Sequence, residues 1–209
     1  MACVGHASLD HVFEVDALPD KPTKTLARGF HIRAGGMSLH ASIAAARLGA
    51  QVRLLGRVGD DAAADFLRRC LADEGVQARG LASMPGCTTS LAAVIVDAQG
   101  ERQIVVHRGD ALQRARPLDT RELEGADVVL ADLRWPKGAV AALTWARQHG
   151  VLSVLDADVA PLADLERLVP LAQWVAFSTP GLAIWARGSD TDTALAAAIA
   201  LGPSAALVT

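Results

Sequence analysis

Four carboxylates and one guanidinium stand where this sequence could do chemistry: Asp10, Asp132, Arg134, Asp156 and Asp158. Asp10 closes the stretch CVGHASLD, Asp132 and Arg134 belong to VVLADLR, and Asp156 and Asp158 to VLSVLDAD. Each follows an apolar run of the kind that forms a buried strand. Ligands of open parallel sheets bind beyond the carboxyl ends of the strands, so these side chains are expected around one crevice. Ionised carboxylates accept hydrogen bonds from hydroxyls, and several of them together suit a polyol or a sugar. A Gly35–Gly36 pair, directly ahead of a helix that starts at Met37 or Ser38, adds a second signal. Paired glycines cost backbone entropy and bring no side chain to a core. They suit an abrupt strand-to-helix turn or a point where something approaches the main chain closely.

Each residue also has a plainer reading. Asp10 caps a turn equally well, Asp156 and Asp158 cap the loop that follows them, and Arg134 beside Trp135 forms a buried ion pair. The glycine pair serves as a tight turn and nothing more. His6, His11, His31 and His149 read as satisfied or solvent-facing rather than catalytic. Other chemistries are disfavoured by their motifs. No G-x-G-x-x-G follows the first strand, and there is no G-x-x-x-x-G-K-[ST], no G-x-S-x-G and no metal-type histidine spacing.

The elements that must position these groups alternate. Ala2–Gly5 reads as a strand, and residues 9–32 as β-rich with the turn ALPDKPT inside, Leu26, Phe30 and Ile32 suggesting more strand after it. The helix behind the glycines carries small residues (Ala41, Ala44, Ala45) that allow close packing on a sheet, and Gly49 stops it. Val52–Val58 is a strand, and Asp60 or Asp61 caps a helix over Ala62–Glu74. Ser90–Asp97 and Gln103–His107 flank AQGER as a hairpin. Beyond Pro117, strands at Val128–Leu133, Val151–Asp156, Trp174–Ser178 and Ala205–Val208 alternate with helices near 139–149, 162–169, 182–187 and 191–201. That spacing predicts βαβ units on a mostly parallel, doubly wound sheet with helices on both faces. The β-only segments, about 9–32 and 87–107, fall outside the alternation and are expected to form a small sheet beside one α/β domain over 1–209.

At 209 residues and 51% hydrophobic, the chain has enough apolar material for one substantial core. A net charge of −3 with mixed signs gives no electrostatic footprint for nucleic acid or an anionic membrane. No run is long enough to span a bilayer, and no signal-peptide pattern is present. Cys3, Cys70 and Cys87 are far apart and form no Cys-x-x-Cys pair, which suits reduced thiols in a soluble cytoplasmic protein. The last residues, LVT, lie within an apolar strand with no helix left to cover it, and the chain reads as a piece of a longer one.

Three segments in order, CVGHASLD, AGGMSLHASIAAARLGA and VRLLGRVGDDAAADFL, resemble the PfkB, or ribokinase-like, sugar kinases, and the similarity runs over essentially all 209 residues. VVLADLRW, GVLSVLDADVAP and AFSTPGLA look most like the sulfofructose kinase branch. The resemblance implies a ribokinase-like α/β domain beneath a small β-sheet lid, and transfer of the γ-phosphoryl group of ATP, with Mg²⁺, to a sugar hydroxyl. It implies that Asp10 holds sugar hydroxyls and that the sugar approaches the Gly35–Gly36 backbone. Lys24 in the lid and Arg134 would face an anionic substituent, as on a sulfosugar or other anionic ketose. A homodimer through the lid is the expected assembly, with no nucleic-acid or membrane partner.

The departures from the family pattern shape the expectation. His40 stands where the family often has Asn, so it is a candidate sugar contact of altered preference. The Asn-x-x-Glu associated with Mg²⁺ falls on Ser178–Gly181 and lacks both residues, leaving metal ligands unassigned. The Gly-Ala-Gly-Asp segment that supplies the general base is absent, so catalytic residues are expected beyond Thr209. Two other functions stay open: a non-catalytic sugar-binding or regulatory protein that keeps the substrate half of the fold, and a nucleoside kinase of the same family.

Overall fold

The computed structural model describes residues 1–115 and 117–209. The chain opens with β1 (Ala2–Val4), β2 (Ser8–Glu14) and β3 (Gly29–Gly35), followed by α1 (Met37–Arg47), β4 (Arg53–Gly59), α2 (Ala62–Asp73) and β5 (Leu81–Met84). A hairpin of β6 (Ser90–Val96) and β7 (Arg102–His107) leads into the short α3 (Ala111–Arg114). The remainder alternates: β8 (Val128–Asp132), α4 (Pro136–Gln148), β9 (Leu152–Ala157), α5 (Leu162–Leu168), β10 (Trp174–Phe177), α6 (Thr179–Ala186), α7 (Thr191–Ala200) and β11 (Ala205–Val208).

Seven strands form one sheet in the order β11-β10-β9-β8-β1-β4-β5, and every pairing in it is parallel. After β1 the chain builds outward through β4 and β5, then returns to the other side of β1 at β8. The order therefore reverses between β1 and β8, which opens a crevice at their carboxyl ends. The smaller sheet runs β3-β2-β6-β7, with β2 and β6 parallel and the outer pairs antiparallel. This is the expected doubly wound α/β domain with its separate lid sheet.

Three local readings change. Asp10 does not sit in a loop after the first strand but within β2, on the lid itself. The strand before it stops at Val4 because Gly5 adopts φ 149°, and a Cβ there would overlap the Asp132 carboxylate. Leu26 belongs to no strand and is 83% exposed in the loop between β2 and β3. The edge strand β5 gives no clear signal in the sequence; LASM is short and holds no β-branched residue.

Two layers of helix cover the large sheet unequally. Helices α1 and α2 press Leu39, Leu67 and Leu71 onto Cys3, Leu54 and Leu81 of the β1–β4–β5 side. On the opposite face α4 to α7 enclose Val129, Leu155, Val175 and Phe177 with Leu143, Leu165, Leu182 and Ala198. Each fully buried Leu contributes about 1.5–3 kcal/mol relative to exposure. Register places Leu54, Cys3, Leu130, Val154 and Trp174 abreast on the α1 face. Along that row cover falls away, from 0% exposure at Leu54 and Cys3 to 46% at Trp174. Asp61 caps α2, accepting a hydrogen bond from Ala64 N at 3.0 Å, as the sequence predicts. Among the described residues no helix is long and apolar enough to cross a membrane.

Candidate functional site

The lid strands bring Asp10 to the crevice. In the β2–β3 pairing Ser8 lies opposite Gly35 and Asp10 opposite Arg33, so all four share one face of the lid. Ser8 Oγ donates to Asp10 Oδ1 at 2.8 Å, which fixes the carboxylate. A Cβ on Gly35 would overlap that carboxylate, so the space glycine leaves is filled by Asp10. Gly36 solves a different problem. It turns the chain into α1 with φ 103°, and a Cβ on it would lie 2.5 Å from the His6 carbonyl oxygen. The chain's own 6–10 segment thus packs closely against the glycine pair.

Beneath this turn lies a polar knot around Asp132, whose side chain is fully buried at the end of β8. Its Oδ2 accepts from His6 N at 2.8 Å, Ser38 N at 3.1 Å and Ser38 Oγ at 2.6 Å. Its Oδ1 accepts from Arg134 N at 2.8 Å. A buried carboxylate with its lone pairs so occupied ties together the β1–β2 turn, the first turn of α1 and the β8–α4 loop.

Arg134 and Asp158 form a second brace. Arg134 donates to Asp158 Oδ2 at 3.1 Å and to the Val159 carbonyl at 2.7 Å, and Asp158 Oδ1 accepts from Ser178 Oγ at 2.8 Å. Asp156 pairs in register with Asp132 across β8 and β9. Burial, then the charges of Asp132 and Asp158, push its carboxyl up to about 6 against the opposing pull of Arg134. His6 is held below the usual imidazole range, first by burial; the Arg134 and Arg108 charges add to this, while Asp132 and Asp10 oppose it. A neutral imidazole can donate from one nitrogen and accept at the other.

Between the lid and the carboxyl ends of the large sheet lies a cavity of about 480 Å³, within the range of small-molecule sites. Asp10, Gly36, His40, Arg134 and Asp158 line it, as do His6, Ser8 and Arg108. Apolar Ala92, Val94, Ile104 and Val106 form the lid side of the lining. His40 is exposed at the rim, with Nε2 3.2 Å from the Ala34 carbonyl. Gly35 and Asp156 stand behind the lining, and Lys24 is exposed in the loop between β2 and β3, away from the cavity walls. Lys24 is thus absent from the lining that Asp10 and Arg134 share. Sequence reading set His6 aside as satisfied or solvent-facing and passed over Ser8 and Arg108. It gathered Asp132 among the strand-end acids without recognising it as the buried anchor. Among the described residues no three His, Cys, Asp or Glu side chains come together to hold a metal. Mg²⁺ is usually held by one or two carboxylates together with substrate phosphates, so the ion implied by the resemblance would come with the nucleotide rather than in a side-chain cage.

Comparison with known proteins agrees with this architecture. The family model described as pfkB family carbohydrate kinase matches residues 1–209. A ribokinase of Bacillus subtilis (strain 168) is 34% identical over 140 residues, covering 66% of this chain and 47% of its own. An ATP-dependent ribose-1-phosphate kinase of Halopiger xanaduensis is 29% identical over 155 residues, covering 73% and 52%. The chain spans about half the length of these curated relatives. Among solved structures, a protein of Agrobacterium tumefaciens assigned as a ribokinase superposes with a TM-score of 0.92 at 34% identity, over 100% of this chain and 69% of that one. The Arabidopsis thaliana ribokinase solved with ribose and ATP shares the fold, with a TM-score of 0.79 at 22% identity over 99% and 70%. With its parallel sheet, its lid and a family match over residues 1–209, the chain belongs to the pfkB family of carbohydrate kinases.

Proposed function

We propose that this chain forms the sugar-binding part of an ATP-dependent kinase that moves the γ-phosphoryl group of ATP to a hydroxyl of a sugar or sugar derivative. The observation that carries the reading is Asp10. Its carboxylate is presented from the lid into the cavity, held by Ser8 Oγ and given room by Gly35. An ionised carboxylate in that position accepts hydrogen bonds from two adjacent hydroxyls, and neutral His6 can add another. The apolar lid strands above keep water, the competing phosphoryl acceptor, from the bound sugar. ATP with Mg²⁺ is the phosphoryl donor this reading requires.

The acceptor is a sugar with an anionic substituent, of the sulfosugar or anionic-ketose kind. A relative named for ribose 1-phosphate supports an anionic acceptor within the family. Arg134 contributes positive charge at the cavity, although Asp158 already engages it. The protein works in the cytoplasm, where ATP is available and where its three free cysteines stay reduced. Two copies pair through the outer face of the lid, where Phe13, Phe30, Ile32 and Val105 are 36%, 49%, 46% and 69% exposed on the side away from the cavity.

The test is ADP release by the protein expressed from the complete gene, with ATP and Mg²⁺ and a panel of ribose, fructose, anionic sugars and nucleosides. Sugar-dependent release is the expected result. Turnover with nucleosides alone moves the protein to nucleoside chemistry. Sugar binding by calorimetry without any ADP release leaves a binding protein and ends the kinase reading.

A further inference from the structure

Arg108 is the cavity's uncommitted cation. It follows the last residue of β7 and lines the cavity together with Asp10, His6 and Arg134. Among the described residues no carboxylate lies within ion-pair distance of its guanidinium. Arg134 differs in kind: Asp158 and the Val159 carbonyl already occupy its donors, and it serves as a brace between strand ends. The charge of Arg108 nevertheless reaches the cavity floor, where it helps to hold His6 neutral.

The base of Arg108 is fixed although its head is free. Gly109 adopts φ 63°, and a Cβ on it would overlap the Thr88 carbonyl oxygen. Asp110 Oδ1 accepts from Thr88 N at 2.8 Å and so fastens the same turn to the strand entering β6. A surface arginine kept only for solubility needs neither an anchored backbone nor a place on a cavity wall. Ala92, Val94, Ile104 and Val106 form the apolar wall of the same lid, and an ion pair gains strength as water is displaced there.

We infer that Arg108 selects the acceptor by its charge: its guanidinium forks onto two oxygens of an anionic group, carboxylate, phosphate or sulfonate, while Asp10 holds the hydroxyls of the same molecule. The inference rests on the sugar-binding reading of the cavity and assigns a specificity-determining residue within it. It moves anion recognition from Lys24, which stands outside the cavity, to the exit of the lid hairpin. A planar guanidinium offers parallel N–H donors that match such a group, whereas an ammonium offers only a point charge.

Calorimetry on the protein from the complete gene tests it, with ribose, ribose 5-phosphate and gluconate as probes for wild type, Arg108→Ala and Arg108→Lys. The expected result is at least a tenfold preference of wild type for one of the anionic sugars over ribose. That ratio should fall to about one in Arg108→Ala and remain partial in Arg108→Lys. The phosphate and carboxylate arms show which anion is preferred. A ratio unchanged by Arg108→Ala, or a wild type that binds neutral and anionic sugars equally, overturns the role of Arg108 while leaving sugar binding standing. Binding of none of the three by wild type removes both readings.

Discussion

Replacing Asp156 with asparagine should stabilise the protein at neutral pH and do little in acid. The folded carboxyl titrates at about 6 instead of 3.8, because burial and the neighbouring Asp132 and Asp158 disfavour its charge. In the unfolded chain the same group titrates near about 3.9. As pH rises through about 4, the unfolded state loses its proton first and gains stability relative to the fold. The penalty on the native state grows until about pH 6 and is constant above it. Across a span of about two pH units, at about 1.36 kcal/mol for each, the penalty reaches a ceiling of about 3 kcal/mol. Because the side chain is only partly buried, water reduces this to a working range of about 1–3 kcal/mol. Asparagine keeps the size of the side chain and cannot ionise, so it removes the penalty alone. Urea denaturation of wild type and Asp156→Asn at pH 4.0 and pH 7.5 reads the effect. The difference between the proteins should open on going to pH 7.5. An equal gain at both pH values would mean that packing, not charge, is responsible, and a loss at pH 7.5 would refute the electrostatic account.

Three further outcomes are expected. Asp10→Asn in the protein from the complete gene should weaken sugar binding roughly 10- to 150-fold, the worth of about 1.5–3 kcal/mol for a charge-assisted hydrogen bond; unaltered affinity in calorimetry removes Asp10 from the site. Gly35→Ala should lower stability by about 1–3 kcal/mol through overpacking against the Asp10 carboxylate. Combining it with Asp10→Ala should restore at least about 1 kcal/mol of that loss, and strict additivity in denaturant melts would show that the two positions do not touch. Asp132→Ala leaves His6 N, Ser38 N and Arg134 N without their acceptor. It should cost roughly 3–5 kcal/mol, and a denaturation midpoint close to wild type would show that water replaces the carboxylate.

The alternation of strands and helices after Pro117 was legible because each strand is a compact apolar run with a polar or glycine stop. The lid was legible for the opposite reason, as β-rich stretches that no helix separates. What stayed hidden is non-local. Asp132 takes its donors from residues 126 and 94 positions away, and nothing near VVLADLR announces them. What a side chain at Gly35 would strike also lies across a strand pairing, in Asp10, where local reading could suggest only a tight turn or a ligand. Arg108 sits in HRGD, which reads as an exit turn; its importance comes from the cavity wall on which the hairpin places it. Lys24 shows the converse, since a basic residue in a lid loop looks available from sequence, yet it is not part of the cavity lining.

Gly35 also bears on how the lid strands find their partners. A hairpin arm can slide along its neighbour, and a shift of one position turns every side chain to the wrong surface. Slippage by two keeps the surfaces correct, but here it would set Arg33 against Ser8, where Gly35 now stands. Asp10 could then no longer tuck into the gap that glycine provides. The acid that lines the cavity is therefore also a key cut for one alignment of the flap, and the same substitutions should disturb both the flap's folding and the proposed recognition.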